Sequence, residues 1–163
     1  MTTQPIYAVI GVRHKGPSTF YVKRSLEMEN YPGVWSLFSI RYRPEELLDP
    51  NDLQATGRIF ERMSAERLGG VPVRVKEHLT EGASDENPMN QYVSLQLYEI
   101  DLPREPNLNP RYYTESDWLS PEEYEDRCAE QRCGLCLRLW SDYAWCMGIT
   151  DRPFIPHTPH HAD

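Results

Sequence analysis

The sequence predicts an α+β sandwich, with helices packed on a mixed or antiparallel sheet. Short β-branched runs near the N-terminus are joined by connections too short for a crossover helix. Across residues 49–70 the apolar spacing switches from the period of a strand to that of a helix. Further on, Ser120-Pro121-Glu122-Glu123 opens a second helix, with serine as N-cap, proline in the first turn and acids where the helix dipole favours them. With 163 residues, one core is expected. The expected division is a domain over 1–149 and a Pro/His-rich tail over 150–163.

In order, Ile6–Arg13 reads as a strand ending at the turn His14-Lys15-Gly16-Pro17, and Thr19–Lys23 as its hairpin partner. Trp35–Tyr42 is a third strand. In Asp49–Gly70, Leu53, Phe60, Met63 and Leu68 recur at helical spacing, with Asp49 or Asn51 as N-cap, Pro50 in the first turn and Gly69-Gly70 as the stop. Val71–His78 and Tyr92–Asp101 alternate as half-buried strands, and the polar Thr80–Gln91 between them is expected to be a mobile loop. Leu102–Tyr112 holds three prolines and is a loop. The last helix is expected to run to about Cys146, with a break near Gly134.

Composition limits the partners. Seventeen Lys+Arg against 25 Asp+Glu give a net charge of −8, and no basic cluster offers the cationic face that a nucleic-acid backbone requires. Four Trp and ten Tyr argue against disorder. No apolar run reaches the roughly 18–20 residues of a membrane span, and the N-terminus lacks the features of a signal peptide. A soluble cytoplasmic protein is the expectation. A small phosphorylated ligand, needing only a few cations or a metal, is compatible with this charge.

Three stretches then carry a family resemblance. Lys23-Arg24 precedes Pro32-Gly33-Val34-Trp35. Arg62-Met63-Ser64-Ala65-Glu66-Arg67-Leu68-Gly69 follows, and Glu115-Ser116-Asp117-Trp118-Leu119-Ser120-Pro121-Glu122-Glu123 leads into the last helix. Over residues 5–147 the chain resembles the Nudix hydrolase superfamily, which implies an α/β/α sandwich with a mixed sheet flanked by helices. The octapeptide is similar to the end of the Nudix box, R-E-U-x-E-E-x-G. Aligned on Arg62, it sets Met63 at the first box glutamate, Glu66 at the next, Arg67 at the one after and Gly69 at the closing glycine. The glycine-rich approach is replaced by Ser36-Leu37-Phe38-Ser39-Ile40, and the upstream glutamate falls near Gln54, close to Asp52. One of three expected helix carboxylates remains.

The resemblance implies binding of a nucleotide or other diphosphate, with Mg or Mn as cofactor if the chain is active. Divalent ions neutralise developing charge and lower the pKa of the attacking water, and magnesium prefers carboxylate oxygen. Methionine is too soft a ligand for it, and Arg67 would repel a cation. In one reading Arg67 replaces the metal as a fixed positive charge, and the domain binds without efficient hydrolysis. In another, Glu66 is the surviving ligand, with Glu61 as a catalytic partner and Glu81 or Glu86 as relocated metal ligands; Glu77, Asp85 and Glu115 are further donors. Arg62, Arg67, Arg24 and Arg41 are the expected ligand contacts, with Trp35 beside them. In a third reading the chain is an interaction subunit, its pocket plugged by Met63 and Phe38 and its aromatic C-terminal helix docked on a homodimer mate or other protein.

Cys128, Cys133, Cys136 and Cys146 superficially match iron–sulfur or zinc spacing. A helical setting makes buried thiols the expectation, because one straight helix would put Cys133 on another face. His157, His160 and His161 are expected in a solvated tail. His14 and His78 flank strand ends, His78 being a candidate base. Trp140, Tyr143 and Trp145 have helical spacing and suit a core or an interface.

Overall fold

The structure, a computed structural model, describes residues 4–85, 90–131 and 133–155. Its elements are β1 (Ile6–Val12), β2 (His14–Lys15), β3 (Ser18–Arg24), β4 (Trp35–Ser36), β5 (Phe38–Arg41), a 3-10 turn (Pro44–Glu46), α1 (Leu53–Arg67), β6 (Arg74–Ser84), β7 (Val93–Asp101), β8 (Tyr113–Leu119), α2 (Pro121–Cys128) and α3 (Leu135–Cys146). Among the described residues they form two four-stranded sheets. One has the order β5-β1-β7-β6; in the other β3 pairs with β2, β4 and β8. β1 runs parallel to β7 and antiparallel to β5, so the first sheet is mixed and the expected α+β sandwich is observed.

Alternation along the central strands builds two cores. Ala8, Ile10, Val12, Leu95 and Leu97 face α2 and α3, where Trp140 is buried and donates from Nε1 to Thr19 Oγ1 at 3.0 Å. Val9, Ile40, Tyr98 and Ile100 face α1, whose Ile59, Phe60 and Met63 are buried against them. The expected third strand is divided between the sheets, β4 joining one and β5 the other, with Leu37 buried at the switch.

Several local expectations are corrected. The N-cap of α1 is Asp52, whose Oδ1 accepts from Ala55 N at 3.1 Å; Pro50 precedes the helix and its carbonyl accepts from Tyr98 Oη at 2.6 Å. β6 continues through Thr80–Ser84, because that polar stretch pairs with β7 up to Ser84 opposite Val93, two register shifts absorbing its irregular alternation. Gly82 also brings α3 close: a Cβ there would lie 2.7 Å from Leu139 Cδ2. The polar segment Tyr113–Leu119 is a strand paired with β3. The last helical region, by contrast, does break at Gly134 as expected: it is two helices, and Gly134 caps the second in extended conformation. At the start of the expected tail, Phe154 and Ile155 are buried, their backbone N–H groups donating to Ser141 Oγ. Arg152 ties the segment to α2 through Glu125 at 2.5 and 2.6 Å. His157, His160 and His161 lie outside the described residues. Among those described, no helix is long and apolar enough to cross a membrane.

Candidate functional site

The loop over residues 107–112 fixes the C-terminal end of α1. Asn109 Nδ2 donates to Glu66 O at 2.9 Å, Asn109 N to Arg67 O at 2.9 Å and Asn107 N to Leu68 O at 3.2 Å. These bonds satisfy carbonyls that a helix end leaves open, and they settle where the last two side chains go. Arg67 turns inward. Its Nη1 donates to Ser39 O at 2.8 Å, its guanidinium lies 4.4 Å from the Tyr112 ring centroid, and its Nε contacts Glu66 Oε1 at 3.3 Å.

Arg67 forms part of the wall of a cavity of about 430 Å³ between the first sheet, α3 and the loop after β3. Arg24, Arg41 and Arg111 line the same cavity. Arg24 is held by its Nε bond to Asn30 O at 2.8 Å. Burial pushes its pKa down; Tyr113 and Cys136 oppose that, and the charges of Arg67 and Arg41 push it down further. Guanidinium stays charged across ordinary pH, so these like charges repel one another, and an anion among them would relieve that repulsion. Asn30 also lines the cavity, and its Oδ1 is buried with no hydrogen-bond partner among the described residues. The lining carboxylates, Glu27 and Glu29, are exposed.

Of the residues expected at the site, Arg24, Arg41 and Arg67 meet at this cavity. Arg62 does not line it; its Nη1 pairs with Glu46 Oε2 at 2.5 Å and its Nη2 donates to Arg41 O at 2.7 Å. Trp35 is buried in the first core, with Arg127 5.2 Å from its ring centroid and Gln131 bonded to its backbone N–H and carbonyl. Glu61 is exposed on α1, and Glu81 is exposed on β6, 3.9 Å from His78 Nε2. His78 Nε2 lies 2.7 Å from Gln96 Oε1, away from the cavity lining. Glu86 lies outside the described residues. Arg111, Asn30, Tyr31 and Ser39 were not anticipated. Arg111 and Tyr112 were signalled only as a basic-aromatic pair inside a proline-rich loop. Asn30 and Tyr31 sit in a polar connection without a periodic pattern, and Tyr31 adopts φ +51°, a conformation sequence does not announce.

The donor set does not fit a divalent metal at the box position. Met63 is sealed in the core under α1, Glu66 is paired with Arg67, and the Arg67 cation itself occupies the cavity wall. Among the described residues no group of three His, Cys, Asp or Glu side chains is disposed to hold a metal ion. The four cysteines are free thiols. Burial raises the pKa of Cys128 to about 12 and also pushes Cys133 and Cys136 up, so all three are protonated at neutral pH.

A mixed sheet beside an antiparallel one, flanked by helices, with a cavity at the end of the first long helix, defines a class of fold. The chain has the Nudix fold. It matches a NUDIX hydrolase from Nitrosomonas europaea at 14% identity and TM-score 0.65, over 95% of this chain and 98% of that one. It matches the MutT protein from Methanosarcina mazei Go1 at 15% identity and TM-score 0.58, over 77% and 84% of the two chains. The NUDIX domain of Shewanella oneidensis NrtR, solved with ADP ribose, matches at 14% identity and TM-score 0.52, over 76% and 78%. No family model and no curated protein sequence matches the chain.

Proposed function

We propose that this domain binds a small phosphorylated molecule, a nucleotide or another diphosphate-containing compound, and that metal-dependent hydrolysis through the helix carboxylates is weak or lost. The observation that carries the reading is the inward Arg67 guanidinium, converging with Arg24 and Arg41 on one cavity. In the aligned box this position would hold a carboxylate. A fixed cation there neutralises phosphate directly and disfavours a divalent ion. The ADP ribose of the NrtR neighbour agrees with a ligand of this chemical kind. The plugged-pocket alternative loses its basis, since Met63 and Phe38 are both buried in the core beneath α1 and neither lines the cavity.

The test pairs binding with turnover. Isothermal titration with pyrophosphate and ADP ribose is expected to give saturable binding, weakened about tenfold by Arg41→Ala and more by Arg67→Gln. A hydrolysis panel of nucleoside diphosphate derivatives with Mg or Mn is expected to give no metal-dependent turnover. Turnover abolished by Glu66→Gln would overturn the reading and make Glu66 a working ligand.

A further inference from the structure

The cavity is chemically graded across the first sheet. At the β5 edge it is polar and cationic: Ser39 and Arg41 belong to that strand, Arg67 is bonded to Ser39 O, and Arg24 is close enough to feel both arginines. Over the two strands beside it the character reverses. β1 presents Ile6, Ala8 and Ile10 from alternate positions, and the parallel register sets Val93 opposite Ile6 and Leu95 opposite Ala8. Leu135, at the start of α3, closes over this floor. With strands about 4.8 Å apart, the floor extends roughly 10 Å beyond the cationic edge, and the five side chains named on it carry neither donor nor acceptor. Ser84, opposite Val93 on β6, is a polar lining residue on that side. A base or sugar laid on the five side chains themselves, however, would lose its water with no replacement hydrogen bond from them, which is unfavourable, whereas a hydrocarbon would gain by leaving water. Asn30, whose buried Oδ1 lacks a partner, belongs to the head-group end, since its own carbonyl accepts from Arg24.

We propose that the cavity takes a phosphate or diphosphate ester of an apolar alcohol, its anionic head among Arg24, Arg41 and Arg67 and its hydrocarbon body over the Ile6–Ala8–Ile10 and Val93–Leu95 floor. This rests on the reading of the cavity as a phosphate-binding site and names the ligand class within it.

Isothermal titration of the full chain against four probes tests it: geranyl diphosphate, geraniol, pyrophosphate and ADP ribose. Geranyl diphosphate is expected to bind at least about tenfold tighter than pyrophosphate, with ADP ribose no tighter than pyrophosphate and geraniol weakest. Leu135→Ser, at a half-buried position, is expected to narrow the gap between geranyl diphosphate and pyrophosphate, and Arg41→Ala to weaken both. Geranyl diphosphate binding no tighter than pyrophosphate, or ADP ribose binding tightest, would overturn the apolar-body assignment and leave the phosphate reading standing. Geraniol binding as tightly as its diphosphate, or no binding of any anion, would overturn both.

Discussion

Gly69 stands where α1 stops, at φ +71°, and a Cβ placed on it would lie 2.8 Å from Asn107 Cβ and 3.0 Å from Asn107 O. Its neighbour Gly70 also has positive φ, +81°, yet nothing lies within 4 Å of a Cβ there. Gly69→Ala therefore carries both the left-handed backbone penalty and a clash with the loop that clamps the helix end, whereas Gly70→Ala carries only the first. Gly69→Ala is expected to cost about 2–3 kcal/mol and Gly70→Ala about 1 kcal/mol, read from urea unfolding midpoints. Because the clamp sets where Arg67 points, Gly69→Ala is also expected to weaken pyrophosphate binding more than Gly70→Ala does. Ser64, fully enclosed, donates to Val71 O just beyond the helix. Ser64→Ala leaves that carbonyl without its donor and is expected to cost about 1–2 kcal/mol.

Elements were legible to different degrees. α1 was, because its apolar positions recur and glycines end it, but its N-cap was not: Asp49, Asn51 and Asp52 are all capable caps, and only packing selects Asp52. Asp52→Ala is expected to lower stability by about 1 kcal/mol, a shift of roughly 2–4 °C in melting temperature. The second half of β6 was hidden because Thr80, Glu81 and Gly82 owe their strand conformation to pairing with β7 rather than to apolar alternation. β8 was hidden by its run of polar residues, and it is held by β3, 89 to 100 positions earlier, as in Lys23 opposite Glu115. Of the site, the box-like octapeptide pointed to Arg67, the Lys23-Arg24 pair to Arg24, and a lone basic residue to Arg41. The loops that complete the cavity have no periodic signature, so Asn30, Tyr31 and Arg111 emerge only when the chain is folded.

At the scale of the molecule, acid stability follows from two carboxylates that anchor segments outside the sheets. Hydrogen bonds from Arg62 hold Glu46 below the usual carboxylate range, and those from Arg152 do the same for Glu125. A carboxyl with a lowered folded pKa contributes stability that is fully present above its unfolded value of about 4.3 and is lost as pH falls through the folded value. Melting temperature is thus expected to hold at about pH 6 and to fall toward about pH 3. Glu125→Gln should remove part of that slope, with the segment from Thr150 to Ile155 released first, as amide exchange at Phe154 and Ile155 would register. The cavity imposes a different constraint. Its walls draw on Ile6 near one end of the chain and Leu137 near the other, with β1 locked to a strand that begins at Val93. No contiguous fragment contains it. During synthesis the floor must wait for β7, and the roof for α3, so a ligand can assist folding only after residues 6–137 have all left the ribosome.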